Sequence, residues 1–102
     1  MENIQIELVT PEKLFTSTEA EMVTVPGAGG DFGVLVNHAP MISTIRAGIV
    51  ELTKDGSTDK IFVDGGLVEV TNERCTILAE NAVEANSLSS SEIQELIDKA
   101  AA

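Results

Sequence analysis

Apolar and polar positions alternate with a period of two from Ile4 to about Val83. Ile4, Ile6 and Leu8 interleave with Gln5 and Glu7, and the alternation recurs at Val23/Val25, Ile61/Val63, Val68/Val70 and Cys75/Ile77/Ala79. Successive side chains of a strand point to opposite faces, so this pattern predicts strands with one buried face. Turn signals interrupt it at intervals of roughly 8–12 residues. Asp55-Gly56 falls between residues 48–53 and 60–63, and Asn72-Glu73 between residues 67–71 and 74–79. Both read as hairpin connections. Asp64-Gly65-Gly66 heads the run 67–70, where two glycines permit a bulge or a tight crossing of strands. With only three aromatic residues, the core is expected to be filled by Val, Ile and Leu. The predicted fold class is mainly β: an N-terminal β-sandwich of about 8–10 short strands followed by one short C-terminal α-helix.

The helix follows from a change of period after Ala85. In Leu88-Ser89-Ser90-Ser91-Glu92-Ile93, the Ser89 hydroxyl can accept from the Glu92 amide while Glu92 reaches back to the Ser89 amide. Leu88 can staple against Ile93. Ile93, Leu96, Ile97 and Ala100 then share one helical face, and Glu95 precedes Lys99 by one turn. A helix of roughly 12 residues is marginal alone, so its apolar stripe is expected to dock on the sandwich, with a partner surface as the alternative. The division is a sandwich domain over residues 1–85 and a short helical segment over 86–102.

Composition narrows the function. The chain has 102 residues, which suits one domain. Cys75 is its only cysteine, so no internal disulfide can form. Within an alternating apolar run it reads as a small buried hydrophobe in a reducing, cytoplasmic compartment. Seventeen acidic residues against six basic give a net charge of −11. That excludes a nucleic-acid partner, which needs clustered Lys and Arg, disfavours anionic lipid, and suits a basic protein surface. No apolar run approaches the roughly 20 residues of a membrane span, and no leader precedes the first strand. Membrane association is expected only through another protein, with no direct insertion.

The densest information lies in residues 25–40, Val25-Pro26-Gly27-Ala28-Gly29-Gly30-Asp31-Phe32-Gly33-Val34-Leu35-Val36-Asn37-His38-Ala39-Pro40. So many glycines imply a shaped turn. As a phosphate cradle it fails: no Lys follows the glycines, the next segment (32–36) reads as a strand rather than a helix, and Asp31 would repel phosphate. His38, the only histidine, precludes the usual multi-histidine metal sites and has no partner spacing for Ser-His-Asp chemistry. As an exposed loop residue at a contact surface it makes better sense. No catalytic residue, metal site or cofactor is expected.

The same segment resembles the epsilon subunit of F-type ATP synthases. Gly30-Asp31-Phe32-Gly33-Val34-Leu35 followed by Asn37-His38-Ala39-Pro40 is similar to the family pattern Gly-Glu-x-Gly-x-Leu-x-x-His-Ala-Pro. Further matches are Val9-Thr10-Pro11-Glu12, Val25-Pro26-Gly27, residues 40–48, Phe62-Val63-Asp64-Gly65-Gly66-Leu67-Val68-Glu69-Val70 and Thr76-Ile77-Leu78-Ala79-Glu80-Asn81-Ala82. Their order and spacing cover residues 4 to about 85. The resemblance implies a bacterial-type rotor subunit without chemistry of its own, peripheral on the cytoplasmic face of the inner membrane. Its partners would be the gamma subunit and the polar loops of the c-ring. The family's contact surface falls on Asp31 and His38, with Gly30, Phe32, Ala39, Pro40 and Met41 as companions, and Asp31 would pair with Arg on the ring loops. Family members often carry a C-terminal hairpin of two helices that inhibits ATP hydrolysis. The single short helix here implies little or no inhibition. Some members bind ATP through Ile/Leu-Asp-x-x-Arg-Ala, but Ile97-Asp98-Lys99-Ala100-Ala101-Ala102 has Ala101 where that motif has Arg. The alternative function, a nucleotide-sensing regulatory module, loses its phosphate-binding cation there. An unrelated β-sandwich binding protein is the other non-enzymatic alternative.

Overall fold

The computed structural model describes residues 2–101; Ala102, the last residue of the stretch weighed above as a nucleotide motif, lies outside the described residues. Ten strands precede one helix among the described residues. They are β1 (Ile4–Thr10), β2 (Lys13–Ala20), β3 (Met22–Gly27), β4 (Gly30–Val34) and β5 (Met41–Ile45), then β6 (Gly48–Lys54), β7 (Ser57–Val63), β8 (Gly66–Val70), β9 (Arg74–Ala79) and β10 (Ala82–Glu84), with α1 at Ser90–Ala101. The β-sandwich with a single C-terminal helix is the fold class that the alternation predicts.

The strands form two layers. One runs β10-β7-β6-β3 with β4 on the far side of β3, and the other runs β5-β8-β9-β1-β2. Neighbours are antiparallel except β1 and β9, which lie parallel with Ile6 opposite Cys75. The hydrogen-bonded path passes from one layer to the other at the Gly27↔Ile45 pairing of β3 and β5. The inward residues of both layers make the core: Ile4, Ile6, Leu8, Val23, Val25, Val34, Val50, Val63, Val68, Val70, Cys75 and Ile77 are all essentially solvent-free. No polar or charged side chain is buried among the described residues, so apolar area removed from water holds the layers together.

Local chemistry sets the turns. Asp55 and Gly56 both have positive φ (52° and 78°) and close the β6–β7 hairpin between Lys54 and Ser57, as a type I′ turn requires. Asn72-Glu73 connects β8 to β9, with the Thr71 amide donating to the Arg74 carbonyl at 2.8 Å. Gly66 sits at φ 144°, and a Cβ there would run into the Leu78 carbonyl; the paired glycines thus allow β8 to cross close to β9. One boundary differs from expectation. The strand read at 32–36 begins at Gly30 and stops at Val34, because Leu35 to His38 form a turn. The His38 amide donates to the Leu35 carbonyl at 3.1 Å and Asn37 adopts φ 69°, which ends the ladder despite the apolar Leu35 and Val36.

The helix start has the expected reciprocal bonds. The Ser89 amide donates to Glu92 Oε1 at 2.9 Å, and the Glu92 amide donates to Ser89 Oγ at 3.2 Å. Leu88, Ile93, Leu96 and Ile97 are half-buried while Gln94, Glu95, Asp98, Lys99 and Ala100 are exposed. The apolar stripe is therefore real but omits Ala100, and none of residues 90–100 joins the buried core.

Candidate functional site

The seven candidate contact residues come from two places. Gly30, Asp31 and Phe32 begin β4, beside the corner where the layers meet: Gly30 pairs with Gly27 and Asp31 with Pro26. His38, Ala39 and Pro40 lie in the connection after β4, and Met41 opens β5 opposite Val70. Ile45, at the other end of β5, pairs with both Gly27 and Gly66. The two groups are thus held at opposite ends of β5, whose four residue steps span about 13 Å. Within each group the residues are neighbours; between the groups they are not brought together.

At the corner, tight packing explains Gly27, and a φ of 135° explains Gly30. A Cβ on Gly27 would lie 2.7 Å from the Gly30 carbonyl oxygen and 2.8 Å from the Phe32 ring. Ala28-Gly29 makes a two-residue tip beyond the Gly27↔Gly30 pair. The Asp31 carboxylate is not unpaired: Arg46 Nη2 donates to its Oδ1 at 2.6 Å, and Arg46 Nη1 donates to the Gly27 carbonyl at 3.3 Å. The pair is exposed, with 49% and 61% of the Arg46 and Asp31 side chains accessible, so it contributes only about 0–1 kcal/mol to stability. Arg46 was invisible to the sequence motif because the partners are fifteen positions apart.

At the other end, the Asn37 amide donates to the Asn72 carbonyl at 2.6 Å, tying the turn to the β8–β9 connection. His38 is half-buried rather than exposed, and its Nδ1 donates to the Ala39 carbonyl at 2.7 Å. Two large apolar side chains flank this turn unshielded: Leu35 is 50% exposed and Ile42 is 66% exposed. The alternation of β5 could have flagged Ile42 as outward.

A third surface lies on the outer face of the second layer. Leu67 pairs with Leu78, Leu78 with Val9, and Val9 with Leu14, an apolar row across β8, β9, β1 and β2. Leu78 and Leu14 are 46% and 53% exposed. A shallow groove of about 260 Å³ opens beside it, lined by Val9, Pro11, Gly66 and Leu78. The Leu67–Leu78 pairing is readable from the Asn72-Glu73 hairpin, whereas the parallel β1–β9 pairing that completes the row has no local sequence signal.

None of the seven candidate residues lines a described groove. Among the described residues no three His, Cys, Asp or Glu side chains gather as a metal-ligand set. Burial pushes the Cys75 thiol up to about 12, which keeps it protonated and unreactive. The chemistry on offer is that of exposed surfaces: a turn edge with an ion pair, a turn with exposed apolar side chains, and an apolar row.

Comparison with known proteins agrees with this arrangement. Residues 3–85 match the family model described as ATP synthase, Delta/Epsilon chain, beta-sandwich domain. The chain is 48% identical over 101 residues to the ATP synthase epsilon chain of Paramagnetospirillum magneticum, covering 98% of this chain and 75% of that one. With the epsilon chain of Caulobacter vibrioides it shares 52% identity over 86 residues, 83% of this chain and 99% of the relative. Among solved structures, a chain of the Euglena gracilis mitochondrial ATP synthase OSCP/F1/c-ring assembly superposes with a TM-score of 0.79 at 19% identity, over 95% of this chain and 62% of that one. A chain of the Tetrahymena thermophila mitochondrial ATP synthase central stalk/c-ring gives 0.70 at 12%, over 99% and 98%. At those identities the likeness is one of fold. The family model, however, spans the sandwich from first strand to last, and these two epsilon chains are identical to this sequence at about half of the aligned positions over most of its length: the chain belongs to the ATP synthase epsilon chain family.

Proposed function

We propose that the protein is a non-catalytic central-stalk subunit of a proton-translocating F-type ATP synthase, linking the gamma subunit to the c-ring and coupling rotation to ATP synthesis. The observation that carries this reading is the distribution of exposed chemistry on one rigid sandwich. The turn edge around Asp31 and the turn from His38 to Met41 face the polar loops of the ring. The apolar row Leu14–Val9–Leu78–Leu67 supplies the area that packs on gamma, where burial does most of the holding. No helix among the described residues is long and apolar enough to cross a membrane, in keeping with a peripheral place on the cytoplasmic face of a bacterial inner membrane. The test is capture of gamma by the purified protein: wild type binds with fixed stoichiometry, and Leu78→Asp, a change at an exposed position, abolishes capture while the thermal melt is unchanged. Capture unaffected by Leu78→Asp removes this face from the interface.

Residues 1–85 form the working unit and residues 86–102 an appendage. A match of 86 residues covers 99% of the Caulobacter relative, which supports a sandwich sufficient by itself. The twelve residues of α1 reach only about 18 Å at 1.5 Å per residue, so they exert little or no inhibition of ATP hydrolysis. Deleting residues 87–102 leaves hydrolysis by the assembled head within error; a several-fold rise refutes this. With Ala101 in place of a guanidinium, calorimetric titration with MgATP gives no saturable micromolar binding.

A further inference from the structure

The end of β5 grips the hairpin tip that carries Asp31. Besides the two side-chain bonds from Arg46, its backbone amide donates to the Pro26 carbonyl at 2.9 Å, and the Ala28 amide donates to the Thr44 carbonyl at 3.0 Å. Arg46 Nη2 holds only Oδ1 of the carboxylate. A carboxylate has about four acceptor positions, so most remain open after one such contact. Oδ2 of Asp31 has no hydrogen-bond partner among the described residues, and the side chain is 61% exposed. A guanidinium is a planar fork, and with one arm on the Gly27 carbonyl and the other on Oδ1 it restrains the rotation of the carboxylate it holds.

We propose that Arg46 is the positioning residue of this edge: it fixes the β3–β4 tip and the Asp31 carboxylate in one orientation, so that Oδ2 meets a basic side chain of the partner already ordered. This rests on the contact role given to Asp31 above. Ordering the acceptor before binding lowers the rotamer entropy lost when the partner arrives. Lysine would keep the charge but not the fork, because one ammonium cannot bridge the two acceptors in the same plane.

The experiment titrates the intact protein against a complex of gamma and c-ring, comparing wild type with Arg46→Ala, Arg46→Lys, Asp31→Asn and the Arg46→Ala/Asp31→Asn double variant. Asp31→Asn and Arg46→Ala each weaken binding by about two- to fivefold, as exposed charge pairs do. The double variant binds no worse than the weaker single one, because both changes remove the same oriented contact. Arg46→Lys falls between wild type and Arg46→Ala, and amide exchange at Ala28 quickens in Arg46→Ala. Should Arg46→Ala fail to fold, Arg46→Lys carries the test, with binding equal to wild type as the refuting result. Arg46→Ala binding as tightly as wild type or tighter, or losses that multiply in the double variant, overturns the positioning role while leaving Asp31 in place. If Asp31→Asn itself binds like wild type, the contact role of Asp31 falls, and this inference with it.

Discussion

Gly66 illustrates how a single backbone position constrains the fold. Its φ of 144° and the Leu78 carbonyl in the path of a Cβ combine conformational strain with steric collision, each costly for any L side chain. Gly66→Ala is expected to destabilise the protein by about 2 kcal/mol or more, read from the urea midpoint. Gly29, at the β3–β4 tip with nothing near its Cβ position, is the control: Gly29→Ala changes stability by less than about 0.5 kcal/mol. Cys75 makes a second test. Its thiol titrates near 12 in the fold against an ordinary 9.0, with desolvation as the cause. Below pH 9 both folded and unfolded chains carry the neutral thiol and the group is silent. Between 9 and 12 only the unfolded chain ionises, so this residue's contribution makes stability fall as pH rises through that window. Cys75→Ala flattens that fall in pH-dependent denaturant melts. Thiol labelling of the wild type at pH 8 proceeds only as fast as the strand opens.

At the scale of elements, α1 depends on its first turn. The carboxylate of Glu92 is held below its usual range by the Ser89 backbone bond first and the Ser89 hydroxyl second. A depressed carboxyl adds support above its unfolded value and loses it as pH falls through the folded one, so the N-terminal turn frays on acidification. Ser89→Ala costs the helix about 1 kcal/mol, seen as loss of helical circular dichroism with the sandwich melt unchanged. This element was legible in advance because both partners of the capping box lie within four residues. The Asp55-Gly56 and Asn72-Glu73 hairpins were legible for the same reason, since turn chemistry is local. The end of β4 was not: Leu35 and Val36 continue the apolar pattern, and a positive φ at Asn37 overrides it. Nor were the parallel pairing of β1 with β9, the β3–β5 corner, or the ion pair of Asp31 with Arg46. Each joins residues far apart in sequence, and nothing in either partner's neighbourhood encodes the other. The resemblance motif accordingly singles out Asp31 and His38 as candidates but carries no sign that they lie near opposite ends of β5.

For the whole molecule, a net charge of −11 makes encounter with basic partner surfaces electrostatically favoured. If the proposed central-stalk role holds, association with gamma and the c-ring slows as salt rises from 50 to 500 mM while dissociation changes less, a comparison stopped-flow mixing can make. Above all, the two layers share their backbone ladder at one corner, Gly27↔Ile45, and elsewhere face each other across an all-apolar interior. A torque applied to one layer is therefore relayed to the other by interlocked Val, Ile and Leu side chains and by short covalent links such as Glu21 between β2 and β3, with little help from ladder hydrogen bonds. The torsional stiffness of such a spacer is set by how densely its interior is filled, so a cavity cut at Val68 would make it a softer spring well before it came apart.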